Sequence, residues 1–194
     1  MNLPEVLPRI ISILEGAGIP YMLTGSFASM VHGAPRSTQD IDLVVAATAD
    51  KLAILIATLP PSEYYAELDA ALEALRHESM FNVIDLKTGW KIDLIILKSR
   101  AFSIEEFGRR QRIEIQGFSL FAARAEDVII AKLEWAKLGQ SRRQIEDIIK
   151  IMQTQGDILD DAYLQKWVTE LSLQEQWRDA RIGSAASGLN ISPE

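Results

Sequence analysis

The pattern of apolar residues changes near residue 122, and this change restricts the folds that the chain can adopt. Before it, short apolar segments with strand character alternate with segments that have apolar residues at helical spacing. After it, from residue 125 onward, only helical spacing recurs. The pattern predicts an α+β protein in which a mixed sheet flanked by helices is followed by a C-terminal helical bundle. We place a first domain at residues 1–122, a helical region at 123–184 and a frayed tail at 185–194.

Turn residues and apolar runs together predict the positions of the individual elements. A turn at Gly25-Ser26 precedes a short helix, and a capping-box pattern at residues 103–106 is expected to open another helix. Strands are predicted at residues 21–24, 40–45, 80–85, 90–97, 111–115 and 118–122. The first helix is predicted from an apolar face at residues 6–17, with a regular part that begins near Pro8. Thr48 is expected to cap a helix that runs to residue 59, and further helices are predicted at residues 27–32, 65–76, 125–138, 142–153, 162–170 and 174–181.

Composition excludes several classes of function. The chain has 194 residues, a formal net charge of −7 and no cysteine, so disulfides, thiol catalysis and cysteine-based zinc sites are ruled out. The acidic charge disfavours broad binding to DNA or to an anionic membrane, which needs a basic surface. No apolar run is long enough to span a bilayer, and the N-terminus lacks the features of a signal peptide. We therefore expect a cytoplasmic protein with no membrane partner.

The predicted strand at residues 40–45 carries two aspartates, Asp40 and Asp42, that are two positions apart. Side chains two apart in a strand share a face, so these carboxylates lie about 6.5 Å apart along the strand and repel each other. A hard divalent cation such as Mg²⁺ would remove the repulsion. The alternative is the common one, in which an Asp-x-Asp pair is simply a solvated strand end.

Two nearby features could bind phosphate. Gly25-Ser26 lies between a strand and a helix, where a serine hydroxyl and free backbone N–H groups can hold an anion. Arg36 precedes the aspartate strand and offers a guanidinium that can bind phosphate in a fork. The alternatives are an ordinary turn in which Ser26 caps the helix, and a solvated loop arginine.

A third carboxylate, Asp93, lies near the start of the predicted strand at residues 90–97, which is otherwise apolar except for Lys91. Asp93 either faces the surface or partners another buried group. If its strand lies beside the strand of Asp40 and Asp42, the three carboxylates come together.

The combined pattern of Gly25-Ser26, Arg36, Asp40-x-Asp42 and a later strand aspartate at Asp93 resembles the nucleotidyltransferase superfamily of the DNA polymerase β type. The resemblance covers residues 21–97. It implies the nucleotidyltransferase fold, and an enzyme that uses two Mg²⁺ ions and a nucleoside triphosphate (ATP or another NTP).

The resemblance also assigns roles to these residues. It implies that Asp40 and Asp42 bind the metal ions, and that Asp93 is a third metal ligand or the general base. Gly25 and Ser26 would hold the triphosphate, and Arg36 is a further candidate for that task.

The helical part resembles the C-terminal part of AbiEii-like toxin nucleotidyltransferases, in which a Glu-Asp-x-x-x-x-Lys-Leu helix precedes a basic helix that bears aspartate. The match implies that Lys132 binds nucleotide phosphate and that Asp147 is a second functional carboxylate. The chain departs from that family at Gln144, where an aspartate is usual. The alternatives are that Lys132 extends its amine into water and that Asp147 is an exposed partner of Arg143.

The leading prediction is therefore a nucleotidyltransferase that moves a nucleoside monophosphate from an NTP to an acceptor hydroxyl. The acceptor could be an RNA 3′ end, a protein or a small molecule, and the resemblance to toxins raises a toxin–antitoxin role with an antitoxin partner. The alternative is a catalytically inactive binding protein or antitoxin-like partner with the same fold.

Overall fold

The computed structural model describes residues 4–139 and 141–188 of the chain. Its strands are β1 (Tyr21–Leu23), β2 (Asp40–Val45), β3 (Tyr64–Tyr65), β4 (Met80–Asp85), β5 (Lys91–Ile96), β6 (Gln111–Ile115) and β7 (Phe118–Ala122). Its α-helices are α1 (Val6–Gly16), α2 (Gly25–Val31), α3 (Ala49–Thr58), α4 (Leu68–Arg76), α5 (Ala101–Arg109), α6 (Ala125–Gly139), α7 (Arg142–Gln155), α8 (Asp161–Glu170) and α9 (Gln174–Gly188). A 3₁₀ turn at Gly156–Ile158 follows α7.

The described part of the chain forms two compact units, one of which contains the sheet and the other the C-terminal helices. The first unit consists of two segments, the described chain up to Phe27 and Ser37–Ala123. The second contains Ala28–Arg36 together with the chain from Arg124 onward. The domain limits expected from sequence, 1–122 and 123–184, stay a prediction. Helix α9 reaches Gly188, and most of the expected tail at 185–194 lies outside the described residues.

The first unit contains a seven-stranded mixed sheet in the order β3-β4-β5-β2-β1-β7-β6 among the described residues. β2 runs parallel to β5 and antiparallel to β1, so the aspartate strand is paired on both sides. Buried side chains of α1, at Leu7, Ile10, Ile11 and Leu14, recur at helical spacing and add to the core. Each such side chain contributes about 1.5–3 kcal/mol when it is fully buried. The predicted α+β fold with a mixed sheet is confirmed.

The second unit packs α6, α7, α8 and α9 around apolar side chains. Helix α6 is buried on most of its circumference, and its fully buried residues include Ile129, Ile130 and Leu133. Asp160 caps α8 by accepting a hydrogen bond from the Tyr163 backbone N–H at 2.9 Å. Gly33 lies against Thr154 of α7, and the Gln155 side chain donates a hydrogen bond to the His32 carbonyl. These contacts tie the short segment of residues 28–36 to α7 within this unit.

Several local predictions need correction. Gly25 and Ser26 are the first residues of α2 rather than a turn before it, so Ser26 is not its N-cap. Helix α4 begins at Leu68 instead of residue 65, because Tyr64 and Tyr65 form the short strand β3. Helix α5 begins at Ala101, ahead of the proposed capping box. Ser103 lies within it, buried, and accepts a hydrogen bond from the Arg100 side chain.

Candidate active site on the central strands

Strands β2 and β5 bring the three strand aspartates to one place in the first unit. Their parallel register pairs Asp42 with Asp93 and Asp40 with Lys91. Paired residues in neighbouring strands direct their side chains to the same face of the sheet. Asp93 is buried, whereas Asp40 and Asp42 are partly exposed. The strand of Asp93 therefore lies beside the aspartate strand, which is the condition under which the sequence would bring the three carboxylates together.

The surroundings of Asp42 disfavour the charged form of its carboxylate. Its burial raises its pKa above the ordinary value of 3.8, and the charge of Asp93 raises it further. A hydrogen bond from the Ser26 backbone N–H opposes the shift, while the nearby Asp40 adds to it. The charged form of Asp42 is thus disfavoured in the protein unless a cation stands close to it.

Lys91 is the cation that the structure places in the cluster. Its Nζ lies 2.9 Å from Asp93 Oδ2 and 3.4 Å from Asp40 Oδ1. The hydrogen bond to Asp93 raises the pKa of Lys91 above its ordinary value, although burial acts against the shift. The sequence showed Lys91 two positions before Asp93, on the same strand face, but no motif assigned it a role.

Gly25 makes room for Asp42. Its φ is +61°, a left-handed conformation that glycine adopts without steric cost. A Cβ at this position would lie 2.0 Å from Asp42 Oδ2, closer than any side chain tolerates. The start of α2 therefore fits against the carboxylate only with glycine at position 25. Ser26, which is buried, gives its backbone N–H to the same carboxylate.

The donor chemistry of the cluster fits a hard divalent cation, although its geometry is incomplete. Among residues 4–139 and 141–188, no group of three or more His, Cys, Asp or Glu is arranged to hold a metal ion. Asp93 Oδ1, however, is buried and has no hydrogen-bond partner within the described part of the chain. This unpartnered oxygen of Asp93 lies beside Asp42, whose charged form is disfavoured by its surroundings. A cation bound between them would stabilise both groups. The residues thus fit Mg²⁺ by chemistry.

The second unit brings together the other three predicted site residues. Asp147 Oδ2 lies 2.7 Å from Lys132 Nζ and 3.2 Å from Arg36 Nη1. Lys132 and Asp147 are both buried, and Gln144 Oε1 accepts a second hydrogen bond from Lys132 at 3.0 Å. Gln144, the position that departs from the toxin family, therefore takes part in the same cluster.

This cluster excludes the simpler alternatives considered for its members. Lys132 does not extend into water, because its amine is bonded to Asp147 and its side chain is 7% exposed. Asp147 is not an exposed partner of Arg143, and Arg36 is not a freely solvated loop residue. The roles of Arg36, Lys132 and Asp147 in nucleotide binding stay predictions.

Comparison with solved structures identifies the fold as that of the nucleotidyltransferases, as predicted. One similar structure is an antigenic nucleotidyltransferase-like protein from Paracoccidioides brasiliensis, with 17% identity, a TM-score of 0.53 and coverage of 91% of this chain and 90% of that one. Another is ANT(2″)-Ia in complex with adenylyl-2″-tobramycin, with 13% identity, a TM-score of 0.55 and coverage of 89% and 97%. A third is the lincomycin-bound lincosamide antibiotic adenylyltransferase LnuA, with 14% identity, a TM-score of 0.53 and coverage of 78% and 98%.

Two other comparisons gave no match. No family model matches the chain, and no curated protein is similar enough to match it. At these identities the structural likeness establishes the fold, and activity has to be argued from the residues. Among the described helices, none combines the length and the apolar character needed to cross a membrane.

Proposed function

We propose that this chain is a Mg²⁺-dependent nucleotidyltransferase that transfers a nucleoside monophosphate from an NTP to an acceptor hydroxyl. The observation that carries the proposal is the in-register placement of Asp42 and Asp93 on neighbouring parallel strands, with Asp40 on the same strand as Asp42. The nucleotidyltransferase fold supports it. A metal ion bound there would polarise the phosphate and stabilise the charge that develops during in-line displacement.

The chain's own residues have distinct tasks in this proposal. The acceptor oxygen forms a bond to the α-phosphorus, the bond from that phosphorus to the bridging oxygen breaks, and pyrophosphate leaves. Asp40 and Asp42 supply oxygens for the metal, and Asp93 is a third ligand or takes the proton of the attacking hydroxyl. Gly25 and Ser26 hold the start of α2 against Asp42, where we propose that they also orient the triphosphate.

Among the acceptor classes, we favour a small molecule with a free hydroxyl. Of the similar structures, one is a lincosamide antibiotic adenylyltransferase with bound lincomycin, and another is a complex with adenylyl-2″-tobramycin. This chain covers almost the whole length of each. The net charge of −7 disfavours a large RNA acceptor. A toxin–antitoxin role, with an RNA or protein acceptor and an antitoxin partner, is the second candidate, and it rests on the AbiEii-like pattern around Lys132 and Asp147.

A binding test addresses the catalytic proposal directly. Binding of each of the four NTPs is measured with Mg²⁺ for the wild type, for Asp42→Ala and for Asp69→Asn, an exposed aspartate in the first turn of α4. We expect binding by the wild type and by Asp69→Asn, and its loss in Asp42→Ala. Absence of NTP binding by all three proteins would contradict the proposal and favour a non-catalytic binding protein.

A labelling test identifies the acceptor. The protein is incubated with a cell lysate and NTPs labelled at the α- or γ-phosphate, and the RNA, protein and metabolite fractions are separated. Nucleotidyl transfer places the α-label in one fraction and releases the γ-label in pyrophosphate. Transfer of the γ-label instead would indicate a kinase and refute the reaction proposed here. Label in RNA or protein would overturn the preference for a small-molecule acceptor.

A further inference from the structure

The carboxylate cluster already contains a cation, the ammonium group of Lys91. Lys91 Nζ lies within ion-pair distance of both Asp93 Oδ2, at 2.9 Å, and Asp40 Oδ1, at 3.4 Å. Lys91 lies on β5, as Asp93 does, and its in-register neighbour on β2 is Asp40. A positive charge is thus built between two of the three proposed metal ligands.

Charge balance limits how many further cations the cluster can take. With all three aspartates ionised, the cluster carries three negative charges, and Lys91 cancels one of them. A single divalent cation cancels the remaining two. A second one, in the absence of nucleotide, would bring the net charge to +2 with the Lys91 ammonium included, but only to +1 if residue 91 were uncharged, so the ammonium adds a strong repulsion against the second ion.

The oxygens that Lys91 leaves available indicate where the single cation would bind. Lys91 engages Asp93 through Oδ2, whereas Asp93 Oδ1 is buried and has no hydrogen-bond partner within the described part of the chain. Asp42 is the in-register neighbour of Asp93. Asp42 and Asp93 Oδ1 are therefore the part of the cluster that makes no ion pair with Lys91.

We propose that Lys91 takes the place of one of the two metal ions that the sequence resemblance implies. The aspartate cluster then binds one divalent cation through Asp42 and Asp93, and Asp40, of the ligands named above, pairs with Lys91 instead of with the metal. This inference rests on the proposed function, because it concerns the same site. Lys91 is in this view a positioning residue: it holds Asp40 and Asp93 in place and occupies the position of an ion without touching substrate.

The number of bound ions tests this inference without any activity measurement. Mn²⁺ alone is titrated into the full-length protein, and free Mn²⁺ is followed by electron paramagnetic resonance. The wild type is expected to bind one ion at the cluster. Lys91→Met keeps most of the side-chain stem and removes the charge, so it should bind two ions, the first about tenfold tighter or more.

Matched variants separate charge from other effects. Lys91→Arg keeps the charge and should bind one ion, as the wild type does. Lys87→Met removes a lysine from the exposed turn between β4 and β5 and should also leave the count at one. If circular dichroism shows that Lys91→Met is unfolded, Lys91→Gln makes the same test with a polar group in place.

The outcomes distinguish this inference from the proposed function. Two ions on the wild type, or one ion on both the wild type and the uncharged Lys91 variant, overturn the role of Lys91. If NTP binding with Mg²⁺ persists in that case, the proposed function stands. If the wild type and every variant bind neither Mn²⁺ nor NTP, the inference and the proposed function both fail.

Discussion

Replacing Asp42 with asparagine should stabilise the metal-free protein while it removes function. Burial and the neighbouring Asp93 both disfavour the charged form of Asp42, so its negative charge is a cost to the fold at neutral pH. Asparagine has almost the same shape and carries no charge. Asp42→Asn should therefore raise the melting temperature in the presence of a chelator, and it should abolish the extra stabilisation that Mg²⁺ and NTP give to the wild type.

The magnitude follows from the strand geometry. Asp42 and Asp93 are direct neighbours on adjacent strands, which places their side chains about 5 Å apart. Two like charges at that distance repel by about 0.8 kcal/mol in water and about 3 kcal/mol at an effective dielectric constant of 20. For a protein of this size, each kcal/mol shifts the melting temperature by about 2–4 °C. We expect an increase of at least about 2 °C.

The pH dependence has a definite sign. The pKa of Asp42 is raised in the fold, so the charge of Asp42 destabilises the folded protein only where the group is ionised. This cost is absent below the unfolded value near 3.8, and it develops as pH rises through the folded pKa. The advantage of Asp42→Asn should therefore be complete at pH 7 and shrink as the pH falls towards 4. Thermal unfolding followed by circular dichroism between pH 4.5 and 7.5 measures it.

A matched variant guards against a general effect of lowering the negative charge. Asp69→Asn removes an exposed carboxylate from the first turn of α4, where it interacts favourably with the helix dipole. This change should lower the melting temperature slightly. If Asp42→Asn were neutral or destabilising at pH 7 in chelator, or if both variants were stabilising to the same extent, the reasoning about Asp42 would be refuted.

Two further predictions concern close packing and buried charge. Gly25→Ala should cost clearly more stability than Gly117→Ala, because both positions have positive φ but only the Cβ at Gly25 would meet Asp42 Oδ2. Gly117→Ala should cost about 1 kcal/mol and leave NTP binding intact, whereas Gly25→Ala should also lose NTP binding. Asp147→Asn should lower the free energy of unfolding by about 3–5 kcal/mol, because it leaves Arg36 and Lys132 without the carboxylate that they share. The control is Glu146→Gln on the exposed face of α7, whose stability should be within about 0.5 kcal/mol of the wild type. Urea denaturation measures both pairs.

The strand carboxylates could be found from sequence because their signal is local. An Asp-x-Asp pair on an apolar strand places both side chains on one face, whatever the rest of the fold does. The pairing with Asp93 needed the resemblance to a known superfamily, because 51 positions separate Asp42 from Asp93 and only the sheet order brings them together. Lys91 was visible beside Asp93, but its distance to Asp40 depends on the register between β2 and β5.

The helical part shows where local patterns fail. The apolar stripe of α6 suggests one buried face and an accessible Lys132, yet this helix is buried on most of its circumference. The fate of Lys132 therefore depends on α7, which supplies Asp147 and Gln144. The early start of α2 was missed for a related reason: glycine usually ends or precedes a helix, and here contact with Asp42 requires it at the first position.

The central place of β2 in the sheet has a consequence for hydrogen exchange. The strand is hydrogen-bonded to β1 on one side and to β5 on the other, and the Asp42 carbonyl also accepts a bond from the Thr24 N–H at 2.9 Å. Amides in such a position exchange with solvent only when the whole sheet opens. The backbone that carries the proposed metal ligands should therefore be among the last to take up deuterium, and ligand binding should slow that exchange by as much as it raises the stability of the first unit.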